Sequence, residues 1–272
     1  LMASAKLDGY RAVCHDGKAL SRSLKPVRNN YVRSQLEANM DTLNGFDGEL
    51  CLANLTENFS TVSSAISASD GQPDFRYVVF EYVGDGSYQE RFLSRVKDKL
   101  PAFVVVVPMQ VVNNFDELMA AHSKWTSEGF EGTMIRRFDG KDSYKFGRGT
   151  QRECYLCKIK DFDDDEANIV NFEQRIHNAN EATTNELGRT QRSSHQENMV
   201  GRGDLGALVV KCDKYPEEFR IGTGFSDDLR KLVWNNRDEW LGKLVKFKHQ
   251  KSGELNAPRF PVYIGKRHSD DL

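Results

Sequence analysis

The pattern of hydrophobic and polar positions changes about 160 residues into the chain. Before that point, alternating or continuous apolar runs typical of strands are interleaved with segments of helical spacing. In residues 31–43, for example, apolar side chains recur at 32, 36, 40 and 43, and Asp16-Gly17 between two apolar runs predicts a tight hairpin turn. This part is therefore predicted to be a mixed α and β domain. Its predicted strands are 10–15, 18–22, 48–54, 75–83, 103–112, 132–138 and 154–160, and its predicted helices are 31–43, 59–69, 87–100 and 116–128.

The rest of the chain reads as short strands around one helix. The predicted helix, 226–235, begins at Ser226 as a cap with two acids in its first turn. The strand candidates are 167–173, 207–212, 217–221, 244–249 and 258–264. Five short strands with a helix fit a small closed barrel of the oligonucleotide/oligosaccharide-binding (OB) type. The pattern predicts two domains, 1–160 and 161–272, the second with an Asn-, Thr-, Gln- and Ser-rich insert at about 174–203 that is expected to be a long loop or hairpin flap.

Composition excludes several classes of protein. The chain has 272 residues, 39% hydrophobic and 29% charged, which is enough for packed cores and unlike a disordered or collagen-like chain. The longest apolar run, Phe103 to Val107, is far too short to span a bilayer, and no secretory signal is expected at the start. Five cysteines without framework spacing indicate free thiols in a reducing compartment, so we expect a cytoplasmic protein.

Charge is informative in its distribution. The net charge is −2, yet Leu241–Arg267 carries seven Lys and Arg residues against one acid. Such a stretch is typical either of a phosphate-tracking surface or of a solvated strand face, and charge does not decide between them. Within the acidic run Asp161–Glu166, Asp163-Asp164-Asp165 is interpreted as a solvated linker face rather than a metal cluster. Cys154 and Cys157 lack the second pair of a zinc site, so strand packing is favoured for them.

An ordered series of short motifs carries the candidate chemistry. Taken alone, the first could be an exposed lysine beside an Asp8-Gly9 turn, but five further motifs follow it. The series is Lys6-Leu7-Asp8-Gly9-Tyr10-Arg11, Ser21-Arg22, Phe46-Asp47-Gly48-Glu49-Leu50, Val79-Phe80-Glu81-Tyr82-Val83, Glu131-Gly132-Thr133-Met134-Ile135-Arg136 and Lys158-Ile159-Lys160.

This series resembles the covalent nucleotidyltransferases, and specifically the ATP-dependent DNA ligases of the small phage and bacterial kind. The end of the second part, Arg259–Arg267, resembles the last motif of that family, although His268-Ser269-Asp270 replace the acid and lysine that often close it. The resemblance covers nearly the whole chain except the insert. It implies an α+β fold: a nucleotidyltransferase (adenylation) domain of mixed, largely antiparallel sheets and helices, followed by an OB-fold β-barrel.

The resemblance also implies ATP-dependent sealing of nicks through a lysyl-AMP and an adenylylated DNA intermediate. Lys6 is the expected nucleophile, in a catalytic set of Lys6, Asp8, Lys158 and Lys160. An amine can take AMP as a phosphoramidate, which splits one hard phosphoryl transfer into easier steps. Cations near the amine favour its neutral form and stabilise charge on the α-phosphate, and Arg11, Lys158, Lys160 and a divalent metal are expected to supply them.

The remaining nucleotide contacts follow from the same resemblance. Glu49 is expected to accept hydrogen bonds from the ribose hydroxyls, and Phe80 to stack on adenine rather than serve as a core aromatic. Glu131 is the expected ligand for Mg²⁺ or Mn²⁺, because hard cations bind oxygen.

Nicked double-stranded DNA is the expected partner, and a monomer is the expected state. Arg22 is predicted to contact the 5′-phosphate of the nick. Other backbone contacts are predicted at Lys145, Arg148, Arg189, Arg192, Arg202, Lys246, Lys248, Arg259 and Arg267. The insert, which also holds Arg175, is interpreted as a latch that closes around the duplex.

Two alternative functions remain open at this point. An RNA ligase or an mRNA guanylyltransferase shares the lysine motif, although the FDGEL and RFP elements favour DNA. A non-catalytic OB protein with a degenerate enzyme domain is the other alternative. The intact residues Lys6, Glu49, Glu131, Lys158 and Lys160 argue against it.

Overall fold

The computed structural model describes residues 1–137, 144–145, 153, 155–250 and 256–267. The chain divides into two units, Leu1–Lys160 and Asp161–Leu272, each with sheets of its own. The fold is of the mixed α+β class expected from the sequence. Among the described residues, no helix is both long enough and apolar enough to cross a membrane.

The first unit contains two sheets. One has the strand order β7-β1-β8-β9 and is antiparallel throughout; the other has the order β3-β2-β4-β5-β6, with its last pair parallel. The strands are β1 Met2–Lys6, β2 Tyr10–His15, β3 Lys18–Ser21, β4 Phe46–Leu52, β5 Phe75–Tyr82, β6 Val104–Val106, β7 Met109–Val111, β8 Gly132–Arg136 and β9 Leu156–Ile159, and the helices are α1 Asn30–Glu37, α2 Met40–Leu43, α3 Phe59–Ser67 and α4 Phe115–Ser127.

Two predicted helices differ from the structure. The helix expected over 31–43 is broken into α1 and α2 at Asn39, whose side chain donates to the Gln35 carbonyl at 2.8 Å. The helix expected over 87–100 is a π-helical turn, Gln89–Leu93, followed by a 3₁₀ turn, Arg95–Lys97. A local side-chain hydrogen bond such as that of Asn39 competes with the regular helical pattern.

Two apolar clusters hold this unit together. One lies between the five-stranded sheet and helices α1 to α3, with the rings of Tyr77, Tyr88 and Phe92 almost fully buried. The other joins the four-stranded sheet to α4 through residues such as Ala5 and Trp125. Because side chains alternate along β1, burying Ala3 and Ala5 leaves Ser4 and Lys6 on the opposite face.

The second unit contains a five-stranded antiparallel sheet of order β14-β13-β10-β15-β16 and a separate two-stranded sheet within the insert. Thr223, just after β14, pairs with Val262 of β16 and so joins the two edges of the sheet, as closure of a barrel requires. The elements are β10 Phe162–Asn178, β11 Ala182–Thr184, β12 Thr190–Arg192, β13 Met199–Lys211, β14 Phe219–Ile221, α5 Asp227–Asn235, α6 Arg237–Trp240, β15 Leu244–Gln250 and β16 Arg259–Lys266, with a 3₁₀ turn at Gln196–Asn198.

The insert is more regular than its polar composition indicates. Strands β10 and β13 continue into it and pair as far as Asn178 and Met199, and β11 and β12 form a small hairpin beyond them. Asn180 is 6% exposed, and its side chain donates to the carbonyls of Ser193 and His195 at 3.0 and 2.8 Å. Backbone pairing and a polar network build this segment, which is why hydrophobic periodicity gives no signal for it.

The acidic run is not a linker. Strand β10 begins at Phe162, and its acids face bases on neighbouring elements: Asp164 with Lys246 at 2.9 Å, Asp165 with Lys214 at 2.7 Å, and Glu166 with Arg267. Opposite charges across a sheet stabilise the pairing, so a run of acids can form a strand where bases lie opposite.

Candidate active site

Lys6 lies at the end of β1, where the antiparallel register places it opposite Gly132 of β8. The preceding residue, Glu131, donates its backbone N–H to the Lys6 carbonyl at 3.0 Å. The Glu131 carboxylate is only 2% exposed, and its two oxygens form ion pairs with the Nζ atoms of Lys6 and Lys160. The structure thus brings together three residues from separate motifs around one buried carboxylate.

Glycine is required at position 132 because β8 and β9 pack closely there. A Cβ atom at this position would lie 2.2 Å from the carbonyl oxygen of Ile159, so β9 approaches β8 more closely than any side chain permits. Lys160 directly follows Ile159. The close approach is therefore what brings Lys160 to Glu131.

The two lysines of the last motif differ in environment. Lys158 is exposed on β9, opposite Met134, whereas Lys160 is half-buried. Burial, together with repulsion from Lys6 and Lys158, lowers the pKa of Lys160 despite its ion pair with Glu131. Lys160 therefore gives up its proton more readily than a lysine in water.

A cavity of about 250 Å³ opens beside Lys6 within the first unit. Of the residues predicted for nucleotide binding, Lys6, Arg11, Glu49 and Phe80 all line it. Ser4 of β1 and Met134 of β8 contribute to the same wall. The sheets therefore collect side chains from four motifs around one space.

Phe80 reaches this cavity through an irregularity in the sheet. Asp47 pairs with Glu81 and Gly48 with Val79, so Phe80 is the extra residue of a β-bulge. A bulge re-aims side chains, and here both Phe80 and Glu81 line the cavity although they are consecutive. Phe80 is half-buried and also packs against the cluster around Trp125. Phe80 thus both lines the cavity, as adenine stacking would require, and packs against an apolar core cluster.

Glu49 lies on β4 and faces the cavity. Burial raises the pKa of its carboxyl to about 8 against the opposing effects of Lys6 and Arg11, and Asp47 and Glu131 add smaller contributions in the same direction as burial. A Cβ on Gly9 would lie 2.6 Å from the Cγ of Glu49. The glycine of the first motif is therefore needed for the third motif to pack against it.

Arg11 has a buried partner that the sequence interpretation did not include. Its Nε and Nη2 donate to the carboxylate of Asp47 at 3.0 and 2.5 Å, and Tyr144 donates to the same carboxylate at 2.7 Å. Although burial disfavours its charge, Asp47 raises the pKa of Arg11 above its ordinary value. Asp47 and Glu49 lie two residues apart in the FDGEL motif and both line the cavity. Side chains with this spacing on a strand point to the same face, and this was the signal in the sequence that could have identified Asp47.

Asp8 takes part in a local contact. Its carboxylate accepts a hydrogen bond from the backbone N–H of Phe59, the first residue of α3, at 3.2 Å. This contact holds the turn that follows Lys6 against the start of the helix. The catalytic role expected for Asp8 stays a prediction.

The predicted DNA contacts of the first unit lie on its surface. Arg22 is exposed on the turn after β3, and Lys145 forms an ion pair with Glu153 at 2.6 Å. Arg148 lies outside the described residues. Cys157 is on β9 as expected but is exposed rather than packed, and Cys154 is also outside the described residues.

In the second unit, the insert presents Arg189, Arg192 and Arg202 as exposed residues. The guanidinium of Arg192 donates to the Asn180 carbonyl and so also ties the insert together. Arg175 does not fit its expected role as a phosphate binder, because it forms ion pairs with Asp204 and with Asp227, the latter at 2.8 Å.

The basic stretch near the end of the chain is partly neutralised. Lys246 and Arg267 pair with Asp164 and Glu166 on β10. The remaining predicted contacts lie over aromatic rings: Lys248 is 5.5 Å from the ring centre of Phe162, and Arg259 is 5.1 Å from that of Phe260. Counting charge along the chain overstates the positive charge of this face, because the compensating acids come from another strand.

Comparisons with known proteins bear on the family. Residues 198–267 match the family model described as DNA ligase OB-like domain. Two crystal structures of Chlorella virus DNA ligase-adenylate are 30% and 32% identical to this chain, with TM-scores of 0.51 and 0.50. Each match covers 98% of this chain and 92% of the viral one. The chain belongs to the ATP-dependent DNA ligases.

A further comparison bears on the fold of this ligase. A Lig E DNA ligase, from a study of DNA binding with a minimal scaffold, aligns with a TM-score of 0.72 at 24% identity, over 98% of this chain and 92% of the other. A comparison with curated protein sequences finds no match. The nucleotidyltransferase-type fold and the OB domain expected from the motif series are confirmed. The assignments of individual site residues stay predictions.

Proposed function

We propose that this ATP-dependent DNA ligase seals nicks that carry a 5′-phosphate and a 3′-hydroxyl, with Lys6 as the covalent carrier of AMP. The observation that supports this most directly is the position of Lys6, whose Nζ lies beside a buried carboxylate and a second lysine at the wall of the cavity. Phe80 and Glu49 line the same cavity, where a stacked base and a ribose would need them.

In the first step, the neutral amine of Lys6 attacks the α-phosphorus of ATP. A P–N bond forms, the nitrogen gives up one proton to solvent, the bond to the leaving oxygen breaks, and pyrophosphate departs with the electron pair. Lys160 and Lys158 stabilise the charge that develops on the phosphate oxygens, since Lys160 is held beside Lys6 by Glu131. Glu131 thus fixes the nucleophile and one of the stabilising cations relative to each other.

The next two steps transfer AMP to DNA. The 5′-phosphate of the nick attacks the lysyl-AMP and releases the Lys6 amine, which gives an adenylylated DNA end. The 3′-hydroxyl then attacks the 5′-phosphate and displaces AMP, forming the phosphodiester bond. We assign Arg22 to the 5′-phosphate because it is exposed and free to approach DNA in the first unit.

A divalent metal fits this site as an ion held by one protein carboxylate together with the phosphates of ATP. The two oxygens of Glu131 are engaged by lysines, and the described residues contain no group of three or more acids, histidines or cysteines that could hold an ion. Mg²⁺ commonly binds through one or two carboxylates together with substrate phosphates and water. We therefore propose Glu131 as its protein ligand once ATP is present. When bound, the ion neutralises phosphate charge.

The two units are proposed to divide the work. Residues 1–160 are assigned to adenylylation, and residues 161–272, with the insert at about 174–203, to binding nicked duplex DNA. The enzyme is proposed to act as a monomer. Cys14, Cys51 and Cys212 are free thiols, which supports a reducing compartment and hence the cytoplasm.

The test is incubation with ATP labelled at the α-phosphate, followed by denaturation. Label is expected on the protein with ATP and not with GTP, and it should move to nicked DNA in preference to nicked RNA. Transfer from GTP would indicate a capping enzyme, and preference for nicked RNA would indicate an RNA ligase.

Lys6→Ala is expected to abolish the labelled adduct, because Lys160, the other described amine paired with Glu131, does not line the cavity. A nick that is already adenylylated should still be sealed slowly, since the last step does not use the lysyl bond. Lys18→Ala, an exposed lysine on β3, is the matched control and should label normally. Full labelling of the Lys6 variant would refute the assignment of the nucleophile.

A further inference from the structure

A second ionic cluster lies in the wall of the cavity. Glu81 accepts hydrogen bonds from Nε and Nη2 of Arg91, both at 3.0 Å, and from Nη1 of Arg136 at 2.6 Å. The three side chains are 10%, 8% and 8% exposed, and all three line the cavity. Glu81 belongs to β5 and Arg136 to β8, so the cluster connects the two sheets of the first unit.

The cluster is attached directly to Phe80. Because Phe80 is the extra residue of the bulge, it has no partner residue on β4 to hold it in register. Its own carbonyl accepts a hydrogen bond from the hydroxyl of Tyr88 at 3.1 Å, and the next residue is Glu81. The guanidinium of Arg136 lies 4.5 Å from the ring centre of Tyr88. The contacts on both sides of Phe80 therefore belong to one network.

Stability alone is a weak explanation for this network. Removing charges from water is costly, and buried ion pairs can often be replaced by apolar side chains without loss of stability. Here two buried arginines share the carboxylate of Glu81. The network also lies at the bulge of β5, where Phe80 and Glu81 both face the cavity.

We infer that Glu81, Arg91, Arg136 and Tyr88 are positioning residues that hold the bulge, and with it the ring of Phe80, in the orientation that stacks on the base of ATP. This inference rests on the proposed function, in which Phe80 binds adenine. On this inference, the network increases the affinity for ATP and does not contribute to the rate of phosphoryl transfer.

The test is single-turnover adenylylation measured over a range of ATP concentrations. Phe80→Ala should raise the half-saturating ATP concentration by about five- to 150-fold, the range expected for loss of a base–aromatic stack. Glu81→Gln should raise it by about tenfold, and Tyr88→Phe by about threefold, as for one neutral hydrogen bond. In each case the maximal rate should change little.

Tyr77→Phe is the matched control. The Tyr77 hydroxyl donates to the carbonyl of Phe46 at 2.7 Å, so this variant also loses a buried tyrosine hydrogen bond in the same sheet, but outside the cavity. It should lower thermal stability and leave the ATP dependence unchanged. Tyr88→Phe keeps the ring and its packing, and so tests the inference even if Glu81→Gln does not fold.

Double variants separate positioning from other effects. If Glu81 acts through Phe80, adding Glu81→Gln or Tyr88→Phe to Phe80→Ala should change the half-saturating concentration less than about twofold further. Fully additive effects, or a loss of maximal rate with unchanged ATP dependence in Glu81→Gln and Tyr88→Phe, would overturn the inference. If Phe80→Ala itself leaves the ATP dependence unchanged, the assignment of Phe80 in the proposed function fails instead.

Discussion

At the scale of single residues, Glu49 shows a conflict between stability and binding. Its carboxyl is held in a partly apolar cavity, and burial raises its pKa to about 8. Ribose hydroxyls bind most strongly to an ionised acceptor, so the residue that suits the ligand is costly to keep charged in the free enzyme. Functional sites commonly contain groups whose pKa is shifted in this way.

This conflict predicts a pH effect on the stability of the free protein. In the unfolded chain a glutamate ionises near its ordinary pKa of about 4.3, well before Glu49 ionises in the fold. Between that value and about 8, the folded state therefore binds more protons, and the free energy of unfolding contributed by this group falls as pH rises.

Glu49→Gln should remove that fall. The difference in melting temperature between this variant and wild type should grow in favour of the variant from pH 5 to pH 8.5. Each kcal/mol of difference in the free energy of unfolding corresponds to about 2–4 °C. Its adenylylation should require more ATP. Glu128→Gln, at an exposed position, is the control and should run parallel to wild type. A parallel curve for Glu49→Gln would contradict the shifted pKa.

At the scale of elements, the β8–β9 pair is the part of the first unit that the site depends on most. Gly132 permits the approach of Ile159, and the residues on either side of this contact, Glu131 and Lys160, form the ion pair beside Lys6. The packing of β8 against β9 therefore determines, through one backbone contact, where the ion pair lies relative to Lys6.

Gly132→Ala should force these strands apart. Overpacking of this kind costs about 1–3 kcal/mol of stability. Adenylylation by the folded fraction should fall by more than about tenfold, since displacing groups at a reacting centre by 1 Å can cost about 100-fold. Gly265→Ala, the same change in β16 where a Cβ meets no atom within 4 Å, should leave labelling intact. Normal adenylylation at normal stability in Gly132→Ala would show that the close approach is dispensable.

The insert can be tested as an element because its base is defined. Replacing residues 179–198 by Asn-Gly connects the paired residues Asn178 and Met199 with a two-residue turn and preserves the ion pairs of Arg175. Adenylylation should be unchanged, while binding to nicked DNA should weaken. The loss should grow with salt between about 50 and 200 mM, as for proteins that lose phosphate contacts.

Arg189→Gln is the graded control for that deletion, because it removes one exposed charge and keeps the hairpin. It should show a smaller loss with the same salt trend. If the shortened protein binds nicks as tightly as wild type at every salt concentration, the insert is not a latch.

At the scale of the whole molecule, charge is balanced between strands rather than along the sequence. The acids of β10 neutralise bases of the second unit that were predicted to bind DNA. Exposed ion pairs of this kind contribute about 0–1 kcal/mol each, so their main effect is on the electrostatic field.

The double change Asp164→Asn and Glu166→Gln should therefore tighten binding to nicked DNA at low salt. The slope of log K against log salt should steepen by about 1–2 if Lys246 and Arg267 then contact phosphates. Thermal stability should change by about 1–2 kcal/mol at most. The double change Asp213→Asn and Glu218→Gln, at exposed residues between β13 and β14, is the control for the change in net charge. Equal effects of the two variants on DNA binding would show that Lys246 and Arg267 do not contact DNA.

The sequence by itself determined the family, the order of the motifs and most of the strands. Motif chemistry depends on residue type and spacing, which are local, and most strands outside the insert and the acidic start of β10 show period-two or continuous apolar patterns. The hairpin at Asp16-Gly17 and the cap at Ser226 were predictable for the same reason, since each involves a few neighbouring residues.

Only the tertiary structure decided which charged groups compensate one another. Lys6 and Glu131 are 125 residues apart, Arg11 and Asp47 are 36 apart, and Glu81 and Arg136 are 55 apart. Such pairs depend on strand register, on a bulge at Phe80 and on a close approach at Gly132. None of these leaves a periodic signal in the sequence, because each is set by the packing of one element against another.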